Sequence, residues 1–328
     1  MTMIRPFIDA HVHLNTVSLE KMERAVECGA SFLSINTDIP FFISLMEQRG
    51  TILKLVERYP DQVKFVTSFS VSDWSKSNWP ELAINQISEG LEAGAVGVKI
   101  WKNIGMELRD PDGSFVMIDD QRFDPVFDYL EKNNILVVGH LGEPKNCWLP
   151  LKDMTVDSDR EYFRAHPEYH MHLHPEYPSY SMQLEARDYR LKRHPNLKFV
   201  GLHLASLEWS VKEVGRWLDL FPTAMVDLAE RICHLQYQSV YNRKEVRAFM
   251  IKYQDRIIYG TDVIDDGTVS PKEITKRFEK LWKFHWEYFS KAQMMAAPEF
   301  NRPFQGLELP VDVLKKIFYE NAVRTYGF

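Results

Sequence analysis

Cysteine is scarce in this chain. Three occur in 328 residues, Cys28, Cys147 and Cys233, and no two form a CxxC pair. An odd count at wide spacing argues against a disulfide framework, and the missing CxxC removes the usual thiolate zinc site. Such usage suits a reducing compartment. Long apolar runs are absent too. Charge recurs too often for a membrane span, and the opening MTMIRPFIDA has no signal-peptide core, so a cytoplasmic protein with no membrane partner is expected. No basic stripe interrupts a net charge of −6, which speaks against a nucleic-acid partner. No GxGxxG or P-loop pattern is present, so phosphate-cradling folds lose their main signature. A small-molecule partner remains.

What the chain does have is apolar residues, 45% of the total, arranged in a regular alternation. Short runs rich in Val, Ile and Phe read as strands at 7–13, 31–36, 63–69, 96–101, 135–140, 197–203, 224–228 and 256–262. Amphipathic stretches between them read as helices at 19–28, 43–58, 80–92, 125–132, 183–192, 211–220 and 243–253. Strand-then-helix repeats make a parallel sheet, and eight such units close into a (β/α)₈ TIM barrel, here a single domain over 1–328. An open doubly wound sheet is the runner-up. Insertions of about 141–181 and 264–308 follow strands five and eight. Long segments at that end of a barrel shape substrate sites. The second carries Trp282, Phe284, Trp286 and Phe289 on an expected extra helix, which suits lid packing or a homodimer interface.

The chemistry starts at IDAHVHL. Alternation along a strand puts Asp9, His11 and His13 on one face and Ile8, Ala10, Val12 and Leu14 on the other. Two imidazoles inside a barrel that branched apolar side chains normally fill point to a divalent metal. Other strands end alike: His140 in ILVVGH, His203 in FVGLH and Asp262 in IIYGTD, with Lys99 in GVKIW. Gly97, Gly201 and Gly260 lie two residues before three of these and leave room beneath them. Alone, each residue has a duller reading, such as a satisfied core histidine or Asp262 capping a helix. Six such residues on five strands read together as a site. A second HxHxH, His170, His172 and His174, lies in the first insertion and reads as packing.

With these residues in hand, the chain resembles the amidohydrolase superfamily, in the branch that includes aminocarboxymuconate-semialdehyde decarboxylase. The matching pieces are IDAHVHL, GVKIW, VVGHLGEP, FVGLHLAS, IIYGTD and ENAVRTYGF, in family order across nearly the whole chain. The resemblance implies that His11, His13, His140 and Asp262 hold one Zn²⁺ or a similar ion such as Mn²⁺. It places His203 and Asp262 as catalytic groups. In binuclear relatives a carboxylated lysine stands where Lys99 stands.

A metal so held activates a water for hydrolysis of an amide, ester or lactone of a small organic acid. Asp262 then moves the proton, and His203 polarises the carbonyl or stabilises the oxyanion. The same branch includes decarboxylases, which would need a conjugated acid, and lactonases that work without metal. A catalytically silent binding barrel is a third reading, disfavoured by the intact ligand positions. Lys99, Trp101 and Glu143 are the nearest candidates for substrate contact. Arg187, Arg190 and Arg231 are candidate carboxylate partners, and Trp148, Tyr177 and Tyr180 candidate pocket walls.

Overall fold

The computed structural model describes residues 5–328. Its main sheet has nine parallel strand segments: β1 (Phe7–Leu14), β2 (Ala30–Ile35), β3 (Val63–Ser68), β4 (Val98–Ile100), β5 (Val137–Gly139), β6 (Phe199–Gly201), β7 (Met225–Asp227), β8 (Ile257–Ile258) and β9 (Val263–Asp265). They pair in the order β8-β7-β6-β5-β4-β3-β2-β1-β9. β8 and β9 are two parts of one run. Between them the Ala10 N–H donates to the Tyr259 carbonyl and the Asp262 N–H to the His11 carbonyl, closing the ring against β1. The eighth strand therefore continues to Asp265, and the second insertion begins after it.

The helices begin and end where local chemistry allows. Ser18 caps Leu19–Cys28, and Gly29 at φ 75° ends it. Capping boxes start Leu45–Arg58 (Ser44 with Glu47) and Pro271–Ser290 (Ser270 with Glu273). The expected helix at 243–253 is the second half of a longer one, Ile232–Lys252, broken at Asn242. Its first half buries His234 and Gln236 beside Leu235, so it shows no clean apolar stripe. No helix among the described residues is long and apolar enough to cross a membrane.

Inside the barrel, Ile8, Ala10, Leu33, Ile35, Val66, Val138, Val200 and Ile258 form one core, joined by Ala322 and Tyr326 from Asn321–Tyr326. Phe7, Val12, Phe32 and Phe65 belong to the outer core, with the helices. This partition corrects the reading of β1. The register runs Asp9 to Phe32 and then Val12 to Ser34, three steps against two. Such a bulge reverses the alternation. Ile8 and Ala10 face inward below it, while His11 and His13 face inward above it.

Asp9 consequently turns away from the histidines. It accepts from the Thr261 N–H (2.9 Å), the Thr261 hydroxyl (2.8 Å) and the Trp282 indole (2.8 Å), binding β1 to the eighth strand and to Pro271–Ser290. Burial raises its pKa to about 6 against those hydrogen bonds. Trp282 also packs edge-on to Phe7 at 5.1 Å, and Phe278 lies 5.1 Å from Phe32. The aromatic helix is thus part of the barrel's outer layer, with Trp282, Trp286 and Phe289 buried within the chain. Asp9→Ala strands three donors and is expected to cost roughly 2–4 kcal/mol in denaturant unfolding. A loss below about 0.5 kcal/mol, the level of an ordinary surface change, would show the anchor to be idle.

The first insertion packs a small core of Cys147, Met154, Phe163 and Met171 against Met106 from the segment after β4. On it sit the helix Asp157–Ala165 and several single 3₁₀ turns. His170 is buried there and bonded by its ring. Its ring nitrogen meets the Leu149 carbonyl at 2.7 Å, and that of His174 meets the Pro167 carbonyl at 2.9 Å.

Candidate metal and active site

Beyond the bulge, His11 and His13 aim their Nε2 atoms at one carboxylate. Asp262 Oδ1 lies 3.1 Å from His11 Nε2 and 3.2 Å from His13 Nε2. The other ring nitrogens are already used. His11 Nδ1 donates to Asp227 Oδ2 at 2.6 Å, and His13 Nδ1 to the Ile35 carbonyl at 2.7 Å. Carbonyls and carboxylates only accept, so Nδ1 carries the proton in each ring, and Nε2 is the atom left to ligate. His11 Nε2 and Asp262 Oδ1 are buried without a hydrogen-bond partner. The donor set fits a divalent cation of the zinc type.

The electrostatics agree. Burial opposes charge on His11, but Asp262 and Asp227 outweigh it and raise its pKa to about 9. Burial likewise opposes charge on Asp262, yet His11, His13 and His203 hold its pKa well below the usual carboxylate range. Two carboxylates around one imidazole make this a place for a cation, whether a proton or a metal ion.

His203 adjoins the same carboxylate, with its Nε2 3.9 Å from Asp262 Oδ2. Its Nδ1 donates to the Ala229 carbonyl at 2.9 Å. Its backbone N–H donates to Asp227 Oδ1 at 2.5 Å. Burial pushes its pKa well down. A neutral ring protonated at Nδ1 can only accept at Nε2, so His203 suits proton acceptance and must first be protonated to polarise a carbonyl. His140 packs on His203 with ring centres 4.2 Å apart, and its Nε2 is also buried without a partner. It is not among the atoms already gathered within 4.8 Å of one another, which come from His11, His13 and Asp262, or from His11, His203 and Asp227.

Asp227, at the end of β7, was not foreseen from the sequence. Both its oxygens serve the site, one on the His11 ring and one on the His203 backbone. Its signal was present, since AMVDL ends a strand in a carboxylate just as IIYGTD does. The backbone here was not legible. His203, Leu204, Ala205 and Ser206 run at φ 54–58°, and Asp262 sits at φ 63°, all without glycine. Left-handed conformations cost such residues roughly 1–2 kcal/mol each, and they collect at functional sites. This turn also corrects the glycine reading. Gly201 faces outward against Ala205 and Trp217, and Gly97 makes room for the Leu136 carbonyl. Only Gly260 lies beneath a site residue, where an added Cβ would meet His11 Cβ at 2.7 Å. Gly260→Ala is expected to displace the imidazole and weaken metal binding at least tenfold, read by chelator competition with the circular dichroism unchanged. Unaltered affinity would show that His11 has slack.

The inner chamber above these residues has a volume of about 390 Å³. Lys99, Trp101 and Glu143 all line it. Burial lowers the Lys99 pKa to about 7, with Asp262 and Asp227 opposing. Glu143 pairs with Lys102. Of the three candidate arginines only Arg231 reaches the chamber. Arg187 bonds the Ala205 carbonyl and Asp188, and Arg190 bonds Asp124 and two carbonyls. Asp159 and Tyr162 from the first insertion, and Arg277 from the aromatic helix, also line the wall and were not foreseen. Trp148 and Tyr180 pack on each other, while Tyr177 lines a neighbouring chamber.

A family model described as Amidohydrolase matches residues 74–328. The chain belongs to the amidohydrolase family. The matched span holds His140, His203, Asp227 and Asp262, while His11 and His13 precede it. No curated protein matches the sequence significantly. Among solved structures, this amidohydrolase is similar to a TIM-barrel protein from Bordetella bronchiseptica, 17% identical over 98% of this chain and 99% of that one, with a TM-score of 0.55. It is also similar to 2,6-dihydroxybenzoate decarboxylase from Rhizobium, 13% identical over 99% of both chains, TM-score 0.54. A third is 5-carboxyvanillate decarboxylase from Sphingomonas paucimobilis, 14% identical over 95% of this chain and 83% of that one, TM-score 0.50. At such identities the likeness establishes the TIM-barrel fold.

Proposed function

We propose that this amidohydrolase is a metal-dependent hydrolase of a small organic acid derivative: an amide, ester or lactone. The observation that carries the reading is the aim of His11 Nε2 and His13 Nε2 at Asp262 Oδ1. These three residues would hold one divalent ion, with His140 completing the set. When bound, the ion supplies Lewis acidity for a water and an acyl oxygen.

The protein's own groups do the rest. Asp262 divides its labour: Oδ1 lies between the two histidines, and Oδ2, toward His203, is free to take a proton from the attacking water and return it to the leaving group. His203 Nε2 is a second acceptor on the same side. Asp227 holds the His11 ring through one oxygen and the His203 backbone through the other, while the Ala229 carbonyl holds the His203 ring. Trp101 lines the chamber, and Lys99 and Arg231 orient an anionic substrate group.

Isotope transfer tests the reaction. Zinc-loaded protein in H₂¹⁸O is expected to place one ¹⁸O in the acid product from a member of a lactone, ester and amide panel. Carbon dioxide release from a conjugated acid, with no label in the product, would replace hydrolysis by decarboxylation. That second reading is supported by the cations lining the chamber besides the paired Lys102, namely Lys99, Arg231 and Arg277.

A further inference from the structure

The cleft does not end at the metal-facing chamber. A second chamber of about 320 Å³ adjoins it and shares Phe41, Trp101, Lys102, Glu143 and Tyr162 as walls. The two differ in chemistry. Lys99, Arg231, Arg277, Asp159 and Asp262 face only the inner one. Met106, Tyr169, Met171 and Tyr177 face only the outer one.

We propose that the outer chamber holds a flat, uncharged apolar group, an aryl ring or its equivalent, carried by the substrate at the end remote from its acid function. The proposal rests on the reading of the inner chamber as the place where the acid end reacts. Three observations support it. Trp101, Tyr162, Tyr169 and Tyr177 offer ring faces and edges for stacking. Met171 of the insertion and Met106 of the segment after β4 share one small core and give one wall an adaptable, polarizable surface. The charged residues there cannot welcome an anion: Lys102 is already paired with Glu143, and Glu107 and Glu168 add two carboxylates. A substrate with acid groups at both ends is therefore disfavoured. The selecting side chains Tyr162, Tyr169, Met171 and Tyr177 all come from the first insertion, so that segment sets the specificity for the distal group.

Calorimetric titration of the zinc-loaded full chain tests this. The probes are ω-phenyl carboxylates of two to six carbons, the same acids without the ring, and the corresponding dicarboxylates. The best phenyl acid is expected to bind about 30-fold more tightly than its plain counterpart, since a buried ring contributes that much. The dicarboxylates are expected to gain nothing. Met106→Trp, which fills the chamber, should bring the phenyl advantage below about threefold and leave the plain acid unchanged. Tyr169→Ala, at an exposed wall, should reduce it about fivefold and guards against misfolding of the first variant. A phenyl advantage below threefold in the wild type, or one that survives both variants, overturns the proposal. If zinc stays bound but neither acid binds, the inner-chamber reading fails separately. The ω-phenyl alcohols then probe the outer chamber alone: binding lost in Met106→Trp sustains the assignment, and no binding overturns it.

Discussion

Asp262→Asn at saturating metal is expected to lower turnover about a thousandfold, on whichever lactone, ester or amide the wild type hydrolyses. Asparagine keeps the size of the side chain and one oxygen for a cation. It also tolerates the left-handed backbone, at φ 63° in this structure, better than most residues. What it loses is the proton-accepting Oδ2 and the negative charge between His11 and His13. Metal affinity should fall as well, so the assay must hold metal in excess and read kcat rather than activity at fixed metal. Unchanged circular dichroism would show that the loss is chemical. A kcat within tenfold of wild type would remove Asp262 from proton transfer.

Asp227→Asn is expected to weaken metal binding by roughly 10–100-fold, although Asp227 need not touch the ion. Its two oxygens each accept one bond, from His11 Nδ1 and from the His203 N–H. An amide has one oxygen, so its NH₂ must face one of those donors. Facing His11, it forces the proton from Nδ1 to Nε2 and blocks the ligating atom. Facing His203, it opposes the backbone N–H that steadies the left-handed turn. Chelator competition reads the first outcome. The second appears as a lower unfolding midpoint, because a buried N–H without a partner costs roughly 1–3 kcal/mol. A variant with wild-type metal affinity and stability would make Asp227 a bystander.

Much of this was legible in the sequence because strand ends announce themselves. An apolar run that stops at a histidine, lysine or aspartate is visible without coordinates, and His11, His13, Lys99, His140, His203 and Asp262 were found that way; in the fold all of them line one chamber. The errors came where backbone geometry departs from ideal periodicity. Strict alternation put Asp9 with the histidines, but the bulge between Asp9 and Val12 reverses the faces, and no residue type in IDAHVHL marks a bulge. The turn at His203–Ser206 was invisible because left-handed backbone is normally flagged by glycine, and here tertiary hydrogen bonds hold it instead. Asp227 escaped because a carboxylate that orients histidines has no spacing rule relative to them. Arg231 could not be told from Arg187 and Arg190 by sequence, since all three are buried and only their partners differ.

The central claim is that His11, His13 and Asp262 hold a divalent cation. A crystal of protein supplied with one equivalent of zinc, measured at the zinc absorption edge, tests it most directly. The expected result is one anomalous peak about 2.0–2.2 Å from His11 Nε2, His13 Nε2 and an Asp262 oxygen. A peak elsewhere, or no peak while Asp262 Oδ1 keeps its place between the two histidines, would contradict it.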